Sequence, residues 1–244
     1  YDRQRAVVGL VDSFVASALT VGGEAGAERV DGRSLFVGRG RVRFTRDDTS
    51  FVSAEVERRT FWSPHDRRDP REFNRVIDLA GLGPDMRVTQ FRGAADTVVG
   101  AGRRLRLEGG AERYGDGNTR GFAYGHYEMM TTAAQGRWSA IAPNLYWESY
   151  RRDSANYFSP SQFVALGGLL HTIRSTPAWR LELEANPTAT WYQSSLGFTV
   201  HGVVDASRTW GRTALGAGAF VFYDQRANYA SYRLVAQFAI RLDP

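Results

Sequence analysis

Four histidines, His65, His126, His171 and His201, are the side chains of this 244-residue chain best suited to move protons near neutral pH. None stands at a zinc-type spacing, and the chain has no cysteine, so thiolate metal sites and disulfides are excluded. "GHYE" sets His126 and Glu128 on one strand face with Phe122 and Tyr124. Joined to Ser139 or Ser149, His126 would make a nucleophile and base of the kind a hydrolase uses. No distinctive serine motif accompanies the set.

Paired carboxylates are the other candidate chemistry. Glu55/Glu57, Glu108/Glu112 and Glu182/Glu184 have the residue types that glycosidases place across a scissile bond. Arginine lies on the same face as each pair, so charged ladders along strands account for them better than general acid and base. "GGEAGAER" lacks the strand–helix frame of a phosphate loop and reads as a flexible turn. No catalytic residue, metal ligand or cofactor is assigned, and the chain reads as a non-enzyme.

The elements that carry these charges are strands. Arg104, Arg106, Glu108 and Glu112 alternate with Leu105, Leu107, Gly109 and Ala111. "GRGRVRF" sets Arg39, Arg41 and Arg43 against Gly38, Gly40, Val42 and Phe44. "FVSAEVE" and "WRLELEA" repeat the pattern with Glu55 and Glu57, and with Arg180, Glu182 and Glu184. "SYRLVAQFAIRL" puts Arg233 and Arg241 opposite Tyr232, Leu234, Phe238 and Leu242. Further strands are expected over 118–132, 135–150, 161–175, 189–194, 197–209 and 212–223. Turn signals such as "RDDTS", "YGDGNT" and "TAAQGR" separate them. The count is about 12 strands, between 10 and 16, in an antiparallel up-and-down order. "RAVVGLVDSFVASAL" fits either a helix or a kinked hairpin. Phe61 to Pro84 reads as a long loop with a short helix from Pro70 to Leu79. With no linker or internal repeat, residues 1–244 read as one domain.

Strands of ten or more residues exceed the usual five or six and suit a tilted bilayer crossing. No apolar run approaches the roughly 20 residues of a spanning helix. "YDRQRAVVG" lacks the order of a signal peptide, so the chain reads as a mature protein or a domain of a longer one. All 31 basic residues are arginine and the net charge is +5, but acidic residues are interleaved with them, which argues against nucleic acid as a partner. The apolar face is thin in large residues, as in "TALGAGAFVFY", where a soluble sandwich would pack densely. Trp138, Trp147, Tyr150, Tyr157, Trp179, Trp191, Tyr192, Trp210, Tyr223, Tyr229 and Tyr232 gather near strand ends, as in interfacial girdles. The pattern favours a transmembrane β-barrel. Leu105 and Leu107 then face lipid. Arg39, Arg41, Arg43, Glu55, Glu57, Arg104, Arg106, Glu108, Glu112, Arg180, Glu182, Glu184, Arg233 and Arg241 face the interior.

Two motifs add a resemblance. "YGDGNTR" lies between two long strands, and "NYFSPSQF" opens a later one. In this order and spacing they resemble the C-terminal outer-membrane barrel of tetratricopeptide-repeat exopolysaccharide exporters, the cellulose and poly-N-acetylglucosamine export porins. That family carries Ser-Asp-Gly-Asn and Tyr-Phe-Ser-Pro. Here Gly115 replaces the serine, while Asp116, Gly117, Asn118, Tyr157, Phe158, Ser159 and Pro160 match. The chain departs from the family in strand number, in lacking the helical repeats, and in ending on "AIRLDP". In local terms Asp116–Asn118 suits a turn with positive φ, and Pro160 suits a strand start.

The resemblance implies a porin-like passage for secreted exopolysaccharide in the outer membrane of a Gram-negative bacterium. Its partners would be outer-membrane lipid, the polymer and periplasmic envelope proteins. A structural or partner-binding barrel within an envelope complex is the alternative, and an outer-membrane lipid-modifying hydrolase the third reading.

Overall fold

A computed structural model describes residues 3–14, 18–30, 32–47, 49–61, 83, 86–211, 213–225 and 229–240. Thirteen strands follow one another: β1 Arg3–Phe14, β2 Leu19–Val30, β3 Arg33–Asp47, β4 Ser50–Thr60, β5 Arg87–Gly100, β6 Arg103–Tyr114, β7 Thr119–Ala134, β8 Arg137–Tyr150, β9 Phe163–Ser175, β10 Trp179–Tyr192, β11 Ser195–Trp210, β12 Thr213–Asp224 and β13 Tyr229–Ile240. They hydrogen-bond in sequence order from β1 to β13. The all-β, up-and-down antiparallel class read from the sequence is the class observed. Among the described residues the strands number 13, within the expected 10 to 16, and no ladder joins β1 to β13.

The ambiguous first segment is neither a helix nor kinked at Asp12–Ser13: β1 runs through both residues and pairs with β2 from Arg3↔Val30 to Phe14↔Leu19. Pro187 lies inside β10, opposite Val200 of β11, so the two strand segments read at 179–185 and 189–194 are one. The loop and short helix expected between Phe61 and Pro84 fall almost wholly outside the described residues.

The two faces of the strands differ sharply in exposure. Phe44, Val52, Phe91, Leu107, Leu145, Leu166, Leu170, Leu215 and Val221 are each about half exposed. The intervening positions bury Glu57, Gln90, Glu108, Glu112, Asn144, Glu148, Glu182 and His201. Period-two alternation sets this division, because each strand turns successive side chains to opposite faces.

By internal contacts the chain forms two compact units. The first comprises Tyr1–Val99, Leu105–Gly125 and Tyr146–Phe163. Its small apolar core is Phe61, Val88, Tyr114, Tyr150 and Tyr157, with Met86 against it. The second comprises Gly100–Arg104, His126–Leu145 and Val164–Pro244. Within it Val203, Phe220 and Phe222 are buried.

Candidate functional site

The strongest polar cluster lies in the first unit, where β4 ends, β5 begins, β6 ends, β7 begins and β8 ends. At its centre is Arg120, whose side chain is 1% exposed. Its Nη1 donates to Glu112 at 2.8 Å and its Nε to Glu148 at 2.7 Å, while Nη2 donates to the Tyr146 hydroxyl. The Tyr146 hydroxyl donates to Glu148 at 2.6 Å. Glu112 also accepts from Gln90 Nε2 at 2.7 Å and from the Tyr114 hydroxyl, with Arg59 3.6 Å away. The guanidinium lies over Phe122 and Tyr150, 5.0 and 5.7 Å from their ring centroids. Gly110 makes room for Phe122: a Cβ there would run into the Phe91 carbonyl and the Phe122 ring.

Above this network the two motifs that carried the resemblance meet. The turn between β6 and β7 has Gly117 at φ +83°, a conformation a side chain resists. The Asn118 amide is fully used. Its Nδ2 donates to the Arg152 carbonyl at 2.8 Å and to the Tyr157 hydroxyl at 2.9 Å. Its Oδ1 accepts from the backbone N–H of Thr119 at 2.9 Å and of Arg152 at 3.1 Å. The Tyr157 hydroxyl in turn donates to Asp116 at 3.0 Å. Tyr157 is 1% exposed, and its ring stacks on Tyr114 with centroids 5.3 Å apart. Burial holds its hydroxyl well above the usual phenol range, so it stays a neutral donor.

"NYFSPSQF" does not open a strand. Asn156 to Ser161 lie in the connection between β8 and β9, and β9 begins at Phe163. The aromatic stack draws Tyr157 in and holds the segment out of the sheet. Phe158 packs edge-on against Phe163 at 5.7 Å, and Ser159 Oγ accepts from the Ser154 N–H at 2.6 Å. Pro160 is buried, and its carbonyl accepts from the Tyr150 N–H at 2.9 Å.

Further along the same face, β2–β5 form rows of opposed side chains. Arg39 stands between Glu24 of β2 and Glu57 of β4, with Gln90 beyond on β5. The next row reads Gly22, Arg41, Glu55 and Arg92, and the third Thr20, Arg43, Ser53 and Ala94. The Glu55 carboxylate leans from its own row to Arg39, at 2.5 Å. Arg92 instead reaches Glu108 of β6 at 2.6 Å, and Arg106 lies 3.8 Å from the same carboxylate. Arg43 lies over the Phe51 ring at 3.7 Å.

In the second unit Glu182 meets both His171, at 2.9 Å, and Arg180, at 2.9 Å. Trp138 packs edge-on against His171 at 4.8 Å instead of standing free as a girdle residue. Glu184 lies 3.9 Å from His201.

Of the residues expected to share an interior, Glu57, Glu108, Glu112 and Glu182 are buried, whereas Arg41, Arg43, Glu55, Arg106 and Glu184 are half-buried. Arg39, Arg104 and Arg180 are exposed, Arg104 as the second residue of β6. Arg241 and the Arg233 side chain lie outside the described residues. Leu107 is exposed and Leu105 half-buried. Tyr150 and Tyr157, read as girdle residues, belong to the buried aromatic core, whereas Trp179, Trp191 and Trp210 are exposed. The two serines considered beside His126 have other partners. Ser139 Oγ is hydrogen-bonded to Thr172 Oγ1 at 2.7 Å, and Ser149 donates to the Ser161 carbonyl at 2.6 Å. Sequence reading missed Arg120 and Glu148. The signal was present in "NLYWESY", where Asn144, Tyr146, Glu148 and Tyr150 alternate with Leu145 and Trp147.

No protein-family model matches the chain, and no curated protein does. Among solved structures the chain is similar to one described as a bacterial polysaccharide outer membrane secretin. The likeness has a TM-score of 0.73 at 12% identity and covers 97% of this chain and 81% of that one. At that identity it shows a shared fold.

Proposed function

We propose that this chain is a bacterial outer-membrane β-barrel that passes a secreted polysaccharide. The observation that carries the reading is the inversion of its faces. In water, an exposed Leu or Phe forgoes roughly 1.5–3 kcal/mol of burial, and the chain leaves many of them out together. Buried Glu, Arg and Asn fill the opposite face. Lipid as the outer solvent removes the conflict. The fold shared with an outer-membrane polysaccharide secretin supports the cargo, as does the meeting of both exporter-like motifs at Asn118 and Tyr157.

Connection lengths support an orientation. β3–β4, β5–β6 and β7–β8 are joined by tight turns, whereas β4 to β5 runs from Thr60 to Arg87 and β8 to β9 from Tyr150 to Phe163. Outer-membrane barrels keep short turns on the periplasmic side. The Arg120 network and the Asn118 clasp then stand toward the extracellular side, and Arg43 toward the periplasm.

The test is reconstitution of the full chain in planar bilayers with neutral and charged oligosaccharides on one side. Sugar-dependent block of a steady current is the expected result. A protein that stays monodisperse without detergent and does not enter lipid would refute the barrel. The dense Arg120 network favours a second reading, a barrel closed by its own charges that serves a partner. Insertion without conductance, both in the native chain and in Glu182→Gln/Glu184→Gln, would select it.

A further inference from the structure

We infer that the passage is selective for an acidic polysaccharide, which it meets first at Arg41 and Arg43. The inference rests on the passage reading above and names its cargo. Charge compensation along β3 falls off in one direction. Arg39 has Glu24 and Glu57 beside it and holds Glu55 at 2.5 Å. Arg41 faces Gly22 on one side, and on the other Glu55, whose carboxylate is already engaged. Arg43 has Thr20 and Ser53 opposite it, neither of them acidic, and its guanidinium lies over the Phe51 ring at 3.7 Å. Among the described residues neither Arg41 nor Arg43 has a carboxylate oxygen within 4 Å, and Arg43 Nε is buried without a hydrogen-bond partner.

These two arginines are not crowded. They line a cleft of about 380 Å³ with Thr20, Gly22, Glu24 and Arg39. Gly22 supplies the room, since any side chain there would stand beside Arg41. Alternate residues of a strand are about 6.6 Å apart, so Arg41 and Arg43 present two guanidinium groups in a row at that interval. A guanidinium fork matches a planar or tetrahedral oxyanion in pairs of N–H donors. Two forks in line suit a chain that carries acidic groups repeatedly, and a neutral glucan offers them nothing to pair with. Elsewhere on this face arginine is matched: Arg92 by Glu108, Arg120 by Glu112 and Glu148. The unmatched pair lies next to the β3–β4 turn, on the side assigned to the periplasm, where a polymer enters.

The experiment measures binding to the full chain in detergent, independently of conduction. The probes are fluorescent oligogalacturonate, sulfated dextran and neutral dextran of matched length. The native protein is expected to bind the acidic probes at least tenfold more tightly than neutral dextran. Arg41→Gln/Arg43→Gln should lower that affinity by about tenfold or more, equivalent to about 1.4 kcal/mol. Arg58→Gln, on the exposed apolar face, should leave it unchanged. Preference for galacturonate over sulfated dextran would assign a carboxylate cargo, and the reverse a sulfated one. Equal binding of neutral and acidic probes by the native chain overturns the inference and leaves passage standing. So does acidic preference that survives in a folded double variant. Failure of passage shows separately, as lack of sugar-dependent block in bilayers.

Discussion

Removing Arg120 should be among the most costly single changes in the chain. Arg120→Met keeps the length and apolar contact over Phe122 and Tyr150 but withdraws the donors to Glu112, Glu148 and Tyr146. Glu112 keeps Gln90 and Tyr114, and Glu148 keeps Tyr146. Both carboxylates remain buried, and breaking a buried pair by deleting one partner costs about 3–5 kcal/mol. Because two carboxylates lose a partner and neither loses all its donors, the middle of that range, about 4 kcal/mol, is expected. Neutralising the carboxylates as well should return much of it. Arg120→Met/Glu112→Gln/Glu148→Gln should be about 2 kcal/mol more stable than Arg120→Met alone, a coupling typical of contacting residues. Urea unfolding in lipid vesicles, followed by the fluorescence of the six tryptophans, reads both numbers. A loss under about 1 kcal/mol for Arg120→Met, or a triple variant less stable than the single one, would refute a charge-matched network.

Four further outcomes test neighbouring claims. Asn118→Ala strips four partners and should cost about 3 kcal/mol, against about 1 for Tyr157→Phe, which keeps the stack on Tyr114. Since the folded Tyr157 hydroxyl titrates above the unfolded phenol, its contribution is complete below about pH 10 and is lost as pH rises further, so the gap between the native chain and Tyr157→Phe should narrow in alkali. Leu183→Arg, on the exposed apolar face, should impair folding into lipid by about 2–4 kcal/mol near the midplane, whereas Arg180→Leu should be much milder, and vesicle-folding yields on gels that resolve folded from unfolded protein would show the difference. Gly110→Ala should cost about 1–3 kcal/mol, since the Phe91 carbonyl and the Phe122 ring must shift together, and the same urea titration measures it.

The fold was legible wherever one face alternated cleanly. "GRGRVRF", "FVSAEVE" and "RRLRLEGGAERY" became parts of β3, β4 and β6. Period-two patterning is local, so it survives without knowledge of the neighbours. What failed was long-range. "WRLELEA" and 189–194 read as separate strands because the sequence does not show how their neighbours pair, yet β10 runs through both and through Pro187 between them. "NYFSPSQF" looked like a strand start because proline favours one, but Tyr157 is claimed by an aromatic stack with Tyr114, 43 positions earlier in the chain. Each motif alone suggested only turn chemistry. Their joint hydrogen bond, Asn118 Nδ2 to the Tyr157 hydroxyl, could be known only once β6–β8 were in place. Arg120 was passed over because it opens β7 beside a glycine-rich turn, and its acidic partners come from two other strands.

On the passage reading proposed above, a face filled by charge and not by an apolar plug bears on reversibility. A buried ion pair is weak evidence for stability, since well-packed hydrophobic residues of the same volume often hold as well or better. Apolar packing around Arg120 would therefore serve a permanently shut barrel. It would serve an opening one badly, because each Å² of apolar surface returned to water costs about 25 cal/mol. Arg120, Glu112 and Glu148 behave oppositely. Each loses a partner on opening and regains hydration, so the open and closed arrangements lie closer in free energy. An acidic polymer arriving from Arg43 and Arg41 would add a competitor, since its oxyanions can take the place of the carboxylates that arginines further along the face now hold. Glu108 on Arg92 and Glu112 on Arg120 are the contacts to be exchanged. On the proposed reading, closure and selectivity would use the same guanidinium groups. A cargo without negative charge could not open the contacts that an acidic one would.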